Sequence, residues 1–470
     1  MPLRHIDEAD LDYFLMLFDR DGNERSEQDG SLLSKTLNQA VQDGATDVFI
    51  SSHGWKGDIP AAISQYTNWI GVMAAQAEDR NRARALDPAF KPVIVGVHWP
   101  SLPWGNESEE ALLGDTDQDE FAAEQQMDPP ELVELYAKRI ADTDVARTVL
   151  RTILAAADEN AVDGLTDWEL SPEVEAAYQT LFEEAGLGLD GAAAAPGSDQ
   201  QTFMPSLTIN EWMQVPESQA EPVPSREPGL LDGGFRQTMR NRLLMPVRQL
   251  SFWSMKHRAR HVGETGLHTL LSQLQKSGPN ARFHLMGHSF GCIVVSAAVS
   301  GPLEDGAVIS PLPRPVHSLF LVQGALSLWS FAESIPYPPN VPGYFRPIAV
   351  DPALVDGPVV TTRSTFDRAV GAYFPLATEL GNDRLLGEEF PEFGGVGAFG
   401  IQGTAADTAH DVLVLSAHDD YGFEPEQIYN VDASTIICSG GGPSGAHSDI
   451  AHPEIAHLFW QAALTSIANS

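Results

Sequence analysis

Short apolar runs, each bounded by turn-forming residues and separated from the next by a stretch of helical periodicity, make up most of this 470-residue chain. Tyr13 to Phe18 reads as a first strand and ends in the turn cluster Asp19-Arg-Asp-Gly-Asn23. Leu32 to Gln42 is spaced as a helix, and Thr46 to Ser52 as a second strand. Ile59 to Ala77 is helical, with Ile63, Trp69, Ile70 and Met73 on its apolar face, and Pro92 to Trp99 is a buried strand. The same rhythm returns late in the chain. Strands are expected at Phe283–Met286, Val316–Gln323, Gly357–Thr362, Val412–Ser416 and Ser434–Cys438, with helices at Gly263–Gln275, after Cys292, and at Ile455–Ala468.

Between these two blocks the pattern changes. Residues 105 to 244 hold an acidic run at Gly114–Glu120, amphipathic helices at Glu131–Ala157 and Ser171–Ala185, and a Gly/Ala/Pro/Ser-rich stretch from Gly186 to Pro228 without periodicity. This segment reads as a mostly helical insertion into a core formed by residues 1–104 and 245–470. Strands alternating with helices imply an α/β protein with a mainly parallel, doubly wound sheet. On such a sheet, ligands gather at the carboxyl ends of the strands.

Composition narrows the function. With 28 Lys and Arg against 65 Asp and Glu the formal charge is −37, which argues against nucleic acid or an anionic membrane as a partner. No apolar window approaches the roughly 18 residues of a membrane span, and no signal peptide is visible, so a cytoplasmic location is expected. The two cysteines, Cys292 and Cys438, lie in apolar runs and read as buried free thiols. Asp19, Asp21 and Asn23, and again Asp115, Asp117 and Asp119, faintly resemble calcium loops. Neither set has the closing glutamate, so no metal is expected.

The candidate chemistry is centred on Gly287-His-Ser-Phe-Gly291. A strand precedes it and a small-residue helix follows, which places Ser289 at the apex of a sharp turn with its hydroxyl exposed to a substrate. A serine nucleophile needs a histidine base and an acid to orient that base, in the order serine, acid, histidine for this architecture. His447, in the flexible loop after the last expected strand, is the preferred base; His317, His452 and His457 sit less favourably. Asp367 follows the strand ending at Thr362 and is the preferred acid, with Asp419 and Asp420 as rivals. The strand ending at Ser52 runs into His53-Gly54-Trp55, a loop suited to holding an oxyanion. His98, Trp99 and Trp104, beyond another strand, are aromatic candidates for an acyl pocket.

These motifs resemble the α/β-hydrolase superfamily, the esterase and lipase group in particular. The resemblance implies oxyanion donors at the backbone N–H groups of Phe290 and Trp55. It also implies a cap role for the insertion and a serine hydrolase cleaving small carboxylic esters without a cofactor. His53, Gly54, His288, Trp99 and Trp104 are candidates to touch substrate. The same residues would serve a thioesterase, an amidase or an acyltransferase, and a hydrolase-like binding protein is the alternative from another class.

Overall fold

The structure is a computed structural model that describes residues 3–27, 29–54, 59–101, 127–163, 171–185, 244, 247, 250, 254–304, 306–337, 340–373, 390, 394–406, 408–440 and 445–468. They divide into two compact units. One holds the described residues up to 101 and from 258 onward; the other holds those between 127 and 257.

The first unit is built on a nine-stranded sheet. Its strands are β1 (Leu3–Ile6), β2 (Leu11–Leu17), β3 (Asp47–Ser52), β4 (Pro92–His98), β5 (Arg282–His288), β8 (Ser318–Val322), β9 (Val359–Arg363), β10 (Ala409–Leu413) and β11 (Ile428–Asp432). A separate two-strand hairpin is formed by β6 (Leu303–Glu304) and β7 (Ala307–Val308). The sheet order is β1-β2-β4-β3-β5-β8-β9-β11-β10. Only β1 is antiparallel to its neighbour.

Every residue of β3, β5 and β8 is buried, as expected of central parallel strands covered on both faces. Alternation divides their side chains. Phe49, Met286, Phe320 and Val322 join the core beneath helices α2 (Ile59–Ala75) and the C-terminal helix at Pro453–Ala468, where Phe320 stacks on Phe459 at 5.6 Å. Helix α1 (Leu33–Gln42) precedes β3, and α3 (Ala77–Leu86) follows α2.

The second unit contains α4 (Pro129–Ile140), α5 (Asp144–Asp163) and α6 (Pro172–Glu184) around its own core of Leu132, Tyr136, Leu150, Ile153, Tyr178 and Leu181. Its starts are legible chemically. Asp128 and Glu131 form a capping box at 2.9 and 3.0 Å, and Ser171 caps α6, each with proline in the first turn. The single helix expected from Glu131 to Ala157 is instead two. The chain turns at Asp142 (φ 51°), whose carboxylate Arg147 holds together with that of Glu134. Leu244, Val247 and Leu250 also pack into this core.

In the first unit the chain continues through a π-helical turn at Gly263–Leu267 into α7 (His268–Ser277). Helix α8 (Gly291–Ser300) follows β5, and α9 (Pro453–Ala468) closes the chain. Two expectations fail here. Ser434–Cys438 is a turn, with Ile437 N–H bonded to the Ala433 carbonyl, and the strand is β11. That strand was masked by Asn430, a buried polar residue whose amide bonds both the N–H and the carbonyl of Ile401. Cys438 is exposed; Cys292 is buried. Among the described residues no group of three or more His, Cys, Asp or Glu could hold a metal ion, and no helix is long and apolar enough to cross a membrane. Asp19 spends its carboxylate on the N–H groups of Asp21 and Asn23, an Asx turn; residues 115–119 lie outside the described residues.

Candidate active site

The turn between β5 and α8 places Ser289 at φ 57°, a left-handed conformation that costs a non-glycine residue strain energy. Neighbouring strands hold it there. Ser289 N–H donates to the Val322 carbonyl at 3.1 Å, and its own carbonyl accepts from Ala325 at 3.2 Å and Cys292 at 3.1 Å. Two glycines make the turn possible. A Cβ on Gly287 would sit 2.5 Å from the backbone of Gly291 and Cys292, and one on Gly291 would collide with the Ser52 carbonyl. Phe290 is fully buried as the N-cap of α8.

Asp367 and His447 lie on loops beyond the carboxyl ends of β9 and β11, adjacent strands of the sheet. Their contact is 2.8 Å from His447 Nδ1 to Asp367 Oδ2. A carboxylate only accepts, so Nδ1 carries the proton and Nε2 is left as the basic nitrogen. The loops are stitched together by Ala446 N–H on the Phe366 carbonyl (2.9 Å) and by a bridge between Asp367 and Gly445. Gly445 has φ 57°, and a Cβ there would strike the Phe366 carbonyl. Asp449 secures the loop further, accepting from the N–H groups of Cys438 and Ser439.

No hydrogen bond joins Ser289 Oγ to His447 Nε2 among the described contacts. The two are coupled through His288, which precedes the serine. Its Nε2 donates to the His447 carbonyl at 3.0 Å, while its Nδ1 accepts from the Gln65 amide at 3.0 Å. Burial, and then the neighbouring His447, push the His288 pKa down to about 3, so this ring stays neutral. Both its nitrogens are committed to protein, which makes it a support for the His447 loop.

The His53-Gly54 loop also meets Ser289. A Cβ on Gly54 would lie 2.5 Å from Ser289 Cβ and 3.1 Å from Ser289 Oγ, so only glycine brings main chain this close. His53 Nδ1 is 2.8 Å from the Gly54 carbonyl and therefore carries the proton; Nε2 accepts from His98 Nδ1 at 3.0 Å. Burial, then the neighbouring His98, hold the His53 pKa well below its ordinary value. Trp99 stacks on His53 and donates its indole N–H to the His53 carbonyl at 3.0 Å. Tyr66 accepts the His53 N–H at 2.9 Å and reaches the Val97 carbonyl at 2.6 Å. His53 and Trp99 are thus buried scaffolding beneath the loop. Trp55 and Trp104 lie outside the described residues.

The remaining candidates are engaged elsewhere. Asp419 accepts from Ser416 (2.8 Å) and Asp420 from Arg82 (2.8 Å). His317 Nδ1 accepts from Phe283 N–H, His452 meets Asp449, and His457 meets Asp79. Sequence reasoning did not single out Gln65, Tyr66 or Gln323. The first two lie in the polar run Ser64–Asn68 within an otherwise apolar helix, and the third is a glutamine at the end of an apolar strand. Comparison with protein-family models, curated proteins and solved structures gives no match.

Proposed function

We propose that the protein is a serine hydrolase acting on carboxylic esters, within the α/β-hydrolase architecture that its motifs resemble. The observation that carries this reading is the strained Ser289, held at a strand-to-helix turn against the main chain of Gly54, with a buried Asp367–His447 pair on neighbouring loops. Ser289 Oγ attacks the ester carbonyl carbon while His447 Nε2 takes its proton. The oxyanion is held by the Phe290 N–H at the start of α8; the resemblance assigns the second donor to Trp55, which lies outside the described residues. When the carbon–oxygen bond to the alcohol breaks, the proton on Nε2 passes to the leaving oxygen. Water, deprotonated by the same nitrogen, then releases the acid from Ser289. Asp367 keeps the ring in the tautomer this needs and stabilises it when charged. His288, with its pKa pushed down to about 3 by burial and both nitrogens bonded to protein, is too weak a base to compete for the proton.

The test is Ser289→Ala assayed on a short p-nitrophenyl ester, with a fluorophosphonate probe as a second readout. Turnover is expected to fall by several orders of magnitude, and labelling to disappear, with the fold retained. Undiminished turnover in the variant would overturn the proposal.

A further inference from the structure

Gln323 is one of six described non-glycine residues with positive φ, at 46°, and it is completely buried. It follows directly on β8, the neighbour of β5, whose end carries Ser289. A β-type continuation would carry its side chain away along the strand. The left-handed turn sends it instead toward Asp367, and neighbouring groups fix its N–H and both polar atoms of its side-chain amide. Its N–H donates to Thr362 Oγ1 at 3.1 Å, and the Thr362 hydroxyl donates back to Gln323 Oε1 at 3.0 Å. Its Nε2 donates to Asp367 Oδ2 at 2.9 Å and to the Gly397 carbonyl at 3.3 Å.

This pattern leaves one orientation of the amide. Flipping it would set Oε1 against a carboxylate and a carbonyl and turn the NH₂ toward the threonine hydroxyl. Gly397 makes room: a Cβ there would come within 2.7 Å of the Gln323 main chain and 3.0 Å of Asp367 Oδ2. Asp367, whose side chain is shut off from solvent, thus has three donors: Gln323 and His447 on Oδ2, and Val370 N–H on Oδ1. A buried carboxylate with fewer donors is costly and free to rotate away from its histidine.

We infer that Gln323 is a positioning residue for the hydrolysis, a fixed amide that aims the Asp367 carboxylate at His447. The inference rests on the proposed function for its kinetic consequence, though not for its geometry. Strain at Gln323 is retained because it is the only described side chain that reaches Asp367 Oδ2 besides His447 itself.

Two variants of the full chain test it. Gln323→Asn tolerates the left-handed conformation but is one methylene too short to reach Asp367; Gln323→Glu keeps the length and replaces the donor with an acceptor. With p-nitrophenyl acetate, kcat is expected to fall about 10- to 100-fold in the asparagine variant and further in the glutamate variant, with KM nearly unchanged. The second readout is the low-field proton resonance of the Nδ1–H between His447 and Asp367, assigned by its loss in His447→Ala. It should shift or broaden in both variants. Folded variants with unchanged kcat and an unmoved resonance overturn the inference. If Ser289→Ala retains wild-type turnover, the hydrolase reading falls on its own, and the resonance still decides whether Gln323 orders the pair.

Discussion

Asp367–His447 and Asp79–His457 make nearly the same contact, 2.8 and 2.7 Å from carboxylate oxygen to imidazole Nδ1. The second ring nitrogen separates them. His447 Nε2 meets no hydrogen-bond partner among the described residues, whereas His457 Nε2 lies 2.7 Å from the Asp419 carbonyl. A carboxylate and a carbonyl both accept, so His457 must carry a proton on each nitrogen. Burial alone would lower its pKa; the bonds to Asp79 and to Asp419 outweigh that and raise it. Beneath α9, then, a closed imidazolium ties α3 to the loop after β10, with Gln461 adding a donor to Asp79 at 3.2 Å. At the candidate site, His447 Nε2 is left without such a partner among the described residues, as the proposed proton transfer from Ser289 requires.

Exchanging the acids should break the resemblance between the pairs most sharply. Asp367→Asn is expected to reduce kcat on a p-nitrophenyl ester by about 10⁴-fold, because the amide favours the wrong tautomer. Asp79→Ala should leave kcat close to wild type but cost about 3 kcal/mol of unfolding free energy in urea titrations, since a buried imidazolium loses its counter-charge. A large rate loss in Asp79→Ala would erase the distinction.

His457 and the site's His288 should part in their response to pH. A histidine whose pKa is raised by folding contributes stability that is fully present below its unfolded value, about 6.5, and that fades as pH climbs through the folded value. His288, held near 3, has the opposite sign: its neutral form is favoured by folding, so stability is lost as the unfolded chain protonates below about 6.5. Melting curves of wild type and His457→Gln, taken from acid to alkaline pH, isolate the first effect. The difference in Tm is expected to be widest at the acid end and to narrow upward. A gap that widens with pH would exclude an imidazolium at His457.

How far the sequence led differs between elements for physical reasons. Short runs such as Phe283–Met286 and Val316–Gln323, alternating with helical periodicity, predict strands of a mainly parallel sheet, and β5 and β8 lie there. The residues named as acid and base from strand order stand 2.8 Å apart. β11 was missed because Asn430 interrupts its apolar pattern, and a buried asparagine looks like a loop residue until its partner at Ile401 is seen. Gln65, Tyr66 and Gln323 carry no motif. Each acts through a group far away in the chain, and only folding brings the partners together.

The smallest expected effect concerns Asp420, the rival acid one residue beyond the Asp419 carbonyl that His457 contacts. Asp420 accepts from Gly422 N–H at 3.0 Å and from Arg82 at 2.8 Å, and these contacts, the first above all, hold its pKa below the ordinary carboxylate value. Such a group stabilises the fold above its unfolded pKa and loses that contribution on acidification. Both side chains of the ion pair are about half exposed, 48 % for Arg82 and 55 % for Asp420, so water and salt screen the attraction. Asp420→Asn should therefore cost no more than about 1 kcal/mol, less still in high salt, and leave kcat unchanged. Because Asp419 next to it lends its carbonyl to His457, a larger cost, insensitive to salt, would mean that the 419–420 turn and the closed pair act as one unit, measurable as non-additivity with His457→Gln in a double-mutant cycle.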